Sequence, residues 1–121
     1  MIWIRLGSIL LFLGVGLGAF AAHGLKGKLS TEAMEIYHTA VLYHFIHGLG
    51  LLTVGWLATL KPNDKCVRVA GWTFLTGIIL FSGSLYLLAI TGETKLGIIT
   101  PFGGLAFLTG WDCLALAARP R

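Results

Sequence analysis

Four long apolar runs, separated by short polar ones, set the pattern of this chain. They cover about residues 6–22, 40–60, 69–90 and 97–118. A helix crosses the ~30 Å hydrocarbon core of a bilayer with about 20 apolar residues, so each run predicts one span. Gly24, Lys26, Gly27 and Lys28 break the first run from the second. Ser30 or Thr31 then reads as an N-cap, with Glu32 and Glu35 near the positive end of the next helix. A helix from Thr31 to Leu60 exceeds the thickness of the hydrocarbon core at 1.5 Å per residue. Its first turns are therefore expected to protrude from the membrane or bend along it. Lys61 to Arg68 is a loop started by Pro62, and Thr91 to Leu96 is a polar turn. Thr100-Pro101 lies near the start of the last span, where proline is tolerated. The predicted fold is all-α, an antiparallel bundle of four transmembrane helices in one domain, residues 1–121.

The first run has a second reading. Arg5, an apolar stretch and Ala19-Phe20-Ala21 imitate a signal peptide with its cleavage site. Gly7, Gly14, Gly18 and Ala22, however, fall on one face at the small-xxx-small spacing of a packed span. A nucleotide loop at Gly14-x-Gly16-x-Gly18 lacks the preceding strand such a loop requires.

Composition strengthens the membrane reading. The chain is 56% hydrophobic and 12% charged, where a soluble domain has about 25% charged residues. Mean hydropathy is +0.85. The +4 net charge comes from nine basic residues scattered between the apolar runs. That distribution argues against a nucleic-acid footprint. Arg5, Lys61, Lys65, Arg68, Arg119 and Arg121 fall on one side, and Lys26, Lys28 and Lys95 on the other. The positive-inside rule then predicts cytoplasmic termini in the cell (inner) membrane. Trp3, Trp56, Trp72 and Trp111 are expected at the cytoplasmic interface, the level tryptophan prefers.

Ionisable and polar groups within spans mark candidate sites. With this orientation His23, Tyr43, His44, His47, Ser82, Ser84, Tyr86 and Thr100 gather toward the outer half, as a polar pocket for a ligand. Asp112, near the inner end of the last span, is the exception. His44 and His47 share a helix face at i, i+3, as do Tyr43 and His47 at i, i+4. No Cys or carboxylate stands at metal-ligand spacing from them, and no metal or cofactor is predicted. Cys66 and Cys113 fit neither a disulfide framework nor a metal motif. A serine nucleophile at Ser82 or Ser84 lacks an orienting acid and an oxyanion hole, so no catalytic residue is assigned. Gly7, Gly14, Gly18, Gly103 and Gly104 are expected to pack helices.

Gly18-Ala19-Phe20-Ala21-Ala22-His23, Tyr43-x-x-x-His47, Leu80-Phe81-Ser82-Gly83-Ser84-Leu85-Tyr86 and Thr100-Pro101-x-Gly103-Gly104 together resemble the YgdD-like family of small bacterial inner-membrane proteins, a domain of unknown function. The resemblance covers nearly the whole chain and implies a compact four-span protein with no established activity. It singles out His23, Tyr43, His47, Ser82, Ser84, Tyr86 and Thr100. The function expected is a non-enzymatic module that binds lipid or a membrane partner, including a second copy. The alternatives are a small oligomeric transporter or channel element and a haem- or metal-binding accessory.

Overall fold

A computed structural model describes residues 1–120; Arg121, counted above with the basic residues of one side, lies outside the described residues. Four helices long and apolar enough to cross a membrane follow one another: α1 Ile2–Leu25, α2 Thr31–Leu60, α3 Lys65–Thr91 and α4 Thr94–Ala117. Short connections make sequential neighbours antiparallel. Both described ends of the chain therefore lie at one end of the bundle, with the 61–64 loop.

Local chemistry fixes the helix ends. The Ser30 hydroxyl accepts a hydrogen bond from the Ala33 amide at 3.1 Å and opens α2. The Asp64 carboxylate accepts from the Cys66 amide at 2.8 Å and opens α3. Each satisfies an amide that a helix start leaves free. Gly92, at φ 72°, ends α3 in the left-handed conformation that glycine adopts without a Cβ clash. The Lys61 ammonium donates to the carbonyls of Ala117 and Arg119. It brings a cation to the negative end of α4 and ties the ends of α2 and α4 together. The whole of Thr31–Leu60 is one unbroken helix.

The four helices do not pack as a closed square. The strongest pairings are α3 with α4 and α2 with α3, the latter along their length, and α1 packs on α2. α2 and α3 bury the largest share of their residues. They form a central pair, with α1 and α4 on its two flanks.

Aromatic side chains seated on glycines set these distances. Phe74 is wholly buried, lodged between Gly50 of α2 and Gly110 of α4. Phe107 lies on Gly77, and Trp3 on Gly71. A Cβ at Gly7 would meet the Gly48 carbonyl at 3.0 Å, and one at Gly55 would meet Ile4 at 2.5 Å. In lipid, such close packing drives helix association, because hydrocarbon on both sides removes the hydrophobic contribution.

Two wide π turns interrupt the helices, at Ala21–Leu25 in α1 and Ile78–Ser82 in α3. The second sits at the crossing with α4. There Gly103 comes so near the Phe81 backbone that any side chain would collide with it.

Candidate functional site

The polar residues inside the bundle form three separate constellations. The first joins α1, α2 and α3. His44 is 3% exposed. Its Nε2 lies 2.6 Å from the Leu10 carbonyl, and its Nδ1 lies 2.8 Å from the Tyr86 hydroxyl. A carbonyl only accepts, so Nε2 carries the proton and Nδ1 accepts from Tyr86. Gly14 makes room: a Cβ there would meet Phe45 at 3.3 Å and His44 at 3.6 Å. Tyr37, fully buried beside Tyr86, donates to the Leu17 carbonyl at 2.7 Å.

The second constellation joins α2 and α4. His47, also 3% exposed, lies flat on Phe107, with ring centroids 3.5 Å apart and planes 8° from parallel. Its Nδ1 donates to the Tyr43 carbonyl at 2.8 Å, and its Nε2 accepts from the Trp111 indole N–H at 3.0 Å. The indole can only donate, so His47 is the neutral Nδ1–H tautomer, the reverse of His44. The Tyr43 ring stacks beside His47 at 6.0 Å.

The third joins α3 to both neighbours. The Ser82 hydroxyl, inside the π turn, donates to the Ala40 carbonyl of α2 at 2.8 Å. Ser84 donates to the Phe81 carbonyl at 3.0 Å and meets the Thr100 hydroxyl of α4 at 2.6 Å. With its one proton engaged, Ser84 accepts from Thr100.

The sequence-predicted residues thus divide. His44 with Tyr86, His47 with Tyr43, and Ser84 with Thr100 are brought together. His23 is exposed near the end of α1, apart from all of these. His44 and His47, three residues apart, turn to different neighbours. Gly7, Gly14 and Gly103 stand at close helix contacts, whereas Cβ atoms at Gly18 and Gly104 would find ordinary spacing at 3.7 and 3.9 Å.

Depth also differs from the expectation. The sequence predicts Trp111 at one interface and His47 in the opposite half, yet the two hydrogen-bond. Trp111 lies one turn beyond Phe107, which stacks on His47, and a long helical side chain leans back toward the helix N-terminus, so its indole covers that turn. Trp3 is buried against Gly71 and packs edge-on to Trp72 at 5.1 Å. Trp56 and Trp72 are exposed. Phe107 escapes the sequence reading, and Tyr37 is not among its candidate site residues. The one signal for Phe107 is its place four residues before Trp111 on the same helix face.

Beside the second constellation α2 and α4 splay apart. They leave a groove of about 340 Å³, open on the side that would face lipid. Tyr43, His47, Phe107 and Trp111 line it, together with Gly104 and Leu108. Tyr43 is 36% exposed there, and its hydroxyl has no hydrogen-bond partner among the described residues. The other two tyrosines both donate within the protein. Cys66 and Cys113 are free, half-buried thiols against the aromatic core. Among the described residues, no three His, Cys, Asp or Glu side chains converge as metal ligands.

Comparison with known proteins matches residues 17–104 to the model of DUF423, a protein family of unknown function. The chain is 48% identical to the UPF0382 membrane protein YwdK of Bacillus subtilis, over 97% of this chain and 95% of that one. It is 48% identical to the UPF0382 membrane protein SERP0230 of Staphylococcus epidermidis, over 96% and 93%. A third relative, SH2409 of Staphylococcus haemolyticus, is 46% identical over 96% and 93%. No solved structure matches the chain. With a family model covering most of its length and relatives aligned nearly end to end, the chain belongs to the DUF423 family of membrane proteins of unknown function.

Proposed function

We infer that this protein is a non-enzymatic membrane protein that holds a bilayer lipid in the groove between α2 and α4. The observation that carries this reading is Tyr43, which lines an otherwise apolar groove and whose hydroxyl has no hydrogen-bond partner among the described residues. The groove's volume lies at the small end of the ~300–1,000 Å³ range of ligand pockets. An acyl chain fits the Leu42, Ile46 and Leu108 walls, and a lipid ester carbonyl would accept from Tyr43. His47 and Trp111 complete each other's hydrogen bonds, so they shape the groove rather than reach into it. The non-enzymatic reading rests on the same satisfaction of partners: His44, Ser82 and Ser84 are all engaged within the protein. The basic residues at the terminal end support cytoplasmic termini in the inner membrane, and the motifs that resemble the YgdD-like family accord with this reading.

The test is native mass spectrometry of protein extracted from its own membranes in mild detergent. The wild type is expected to retain phospholipid. Gly104→Leu fills the groove at a position where a Cβ meets nothing closer than 3.9 Å, and should release that lipid while the bundle stays folded. Bare wild-type protein, or undiminished lipid on the Gly104→Leu variant, would refute the reading.

A further inference from the structure

The two flanking helices carry matching seams on their outward faces. On α1, Arg5, Ile9, Phe12 and Gly16 are all exposed, spaced four, three and four residues apart. On α4, Phe102, Leu105, Thr109 and Asp112 are exposed, at three, four and three. That alternation is the seam of helices that pack along their length. The two helices run antiparallel, and do so between copies held in one bilayer in the same sense. We propose that α1 of one copy docks on α4 of a second copy along these seams, with Arg5 paired to Asp112.

Depth supports the pairing. Gly55 lies against Ile4, and Gly7 against Gly48. Arg5 is therefore level with about residue 53 of α2. Phe74 lies between Gly50 and Gly110, which puts Asp112, two residues on, level with about residue 52. At 1.5 Å per residue the two charges share a depth to within about 5 Å. Neither has an ion-pair partner among the described residues. A carboxylate on a lipid-facing helix is costly and calls for one. It cannot come from α1 of the same copy, which lies beyond the central pair.

Shape supports it as well. Setting Arg5 opposite Asp112 in an antiparallel register sets Phe12 opposite Leu105 and Gly16 opposite Phe102. Gly16 lies in a hollow of about 490 Å³ on α1. A Cβ there would meet nothing within 4 Å, so no contact within one copy requires glycine, which costs ~1 kcal/mol relative to alanine in a helix. Phe102 projects from α4 at 63% exposure. The largest outward side chain of one seam thus meets the one residue without a side chain on the other. Because the two seams differ, the contact is head-to-tail and propagates into a ring or a row of copies.

The experiment uses two differently tagged full-length copies coexpressed in native membranes, each carrying Cys66→Ser and Cys113→Ala. One copy adds Arg5→Cys and the other Asp112→Cys. Mild oxidation is expected to give a cross-linked species carrying both tags. Absence of that species, with both copies present, would overturn the proposal. So would cross-links only between like positions or only to another protein. A second arm adds Gly16→Leu to the Arg5→Cys copy. The cross-link is expected to fall at least tenfold, with the melting temperature of the extracted protein unchanged; an undiminished cross-link would count against the interface. This inference goes beyond the lipid reading and uses neither Tyr43 nor His47. Lipid retention measured on the same Gly16→Leu protein separates a failed interface from a failed groove.

Discussion

His44 and His47 stand three residues apart on one helix but are held as opposite neutral tautomers, each by one donor and one acceptor. Nitrogen NMR of imidazole-labelled protein should show the proton on Nε2 of His44 and on Nδ1 of His47. Equal tautomer populations at either ring would contradict the hydrogen bonds described. Trp111→Phe removes the donor to His47 and leaves Nε2 facing an apolar ring. Polar contacts between membrane helices average about 0.6 kcal/mol and reach ~1.7. The stacked, buried setting of His47 places this loss at the upper end, about 1–2 kcal/mol in a reversible unfolding measurement in micelles, with the His47 nitrogen resonances moving and those of His44 unchanged. Spacing along the chain could show that these histidines are inside a span. It could not show that one turns to α1 and α3 and the other to α4, because helical period gives a direction only once the neighbours are placed.

At the scale of the helices, glycine decides how closely the axes approach. Gly103 has the Phe81 backbone against it and Gly18 only a distant methyl of Val41. The two should respond oppositely to the same change. Gly103→Ala must push α3 and α4 apart, an overpacking cost of about 1–3 kcal/mol. Gly18→Ala should be neutral or stabilising by up to ~1 kcal/mol through helix propensity. Thermal unfolding of both variants in one detergent checks the contrast, and equal destabilisation would remove the role given to the α3–α4 crossing. The four helices themselves were legible, since apolar runs of about 20 residues bounded by charge and proline have one outcome in a bilayer. The α1 glycines could be read as a stripe. Gly50, Gly71, Gly77 and Gly110 could not be assigned a purpose, because each matters only through an aromatic ring on another helix.

For the whole molecule, the central α2–α3 pair and the flanking α1 and α4 predict unequal protection. Backbone amides of α2 and α3 should exchange with deuterium most slowly, and those at the described ends of the chain fastest, since local opening follows the density of buried contacts. Slowest exchange in α1 would be incompatible with this arrangement. The expectation of one polar pocket met a molecule whose polar groups serve three different helix junctions, an outcome decided by packing order rather than by composition. The π turn at Ile78–Ser82 has a consequence at this scale. A helix with one widened turn is angularly offset beyond it, by roughly the 100° that one residue contributes in a 3.6-residue turn. Excising a single residue from that turn would restore the α-helical period and swing the last segment of α3 around its own axis. Ser84 would then lose Thr100 and Tyr86 would lose His44 together. The wide turn acts as the phase adjuster that lets one rod address α2, α4 and the α1–α2 junction at once.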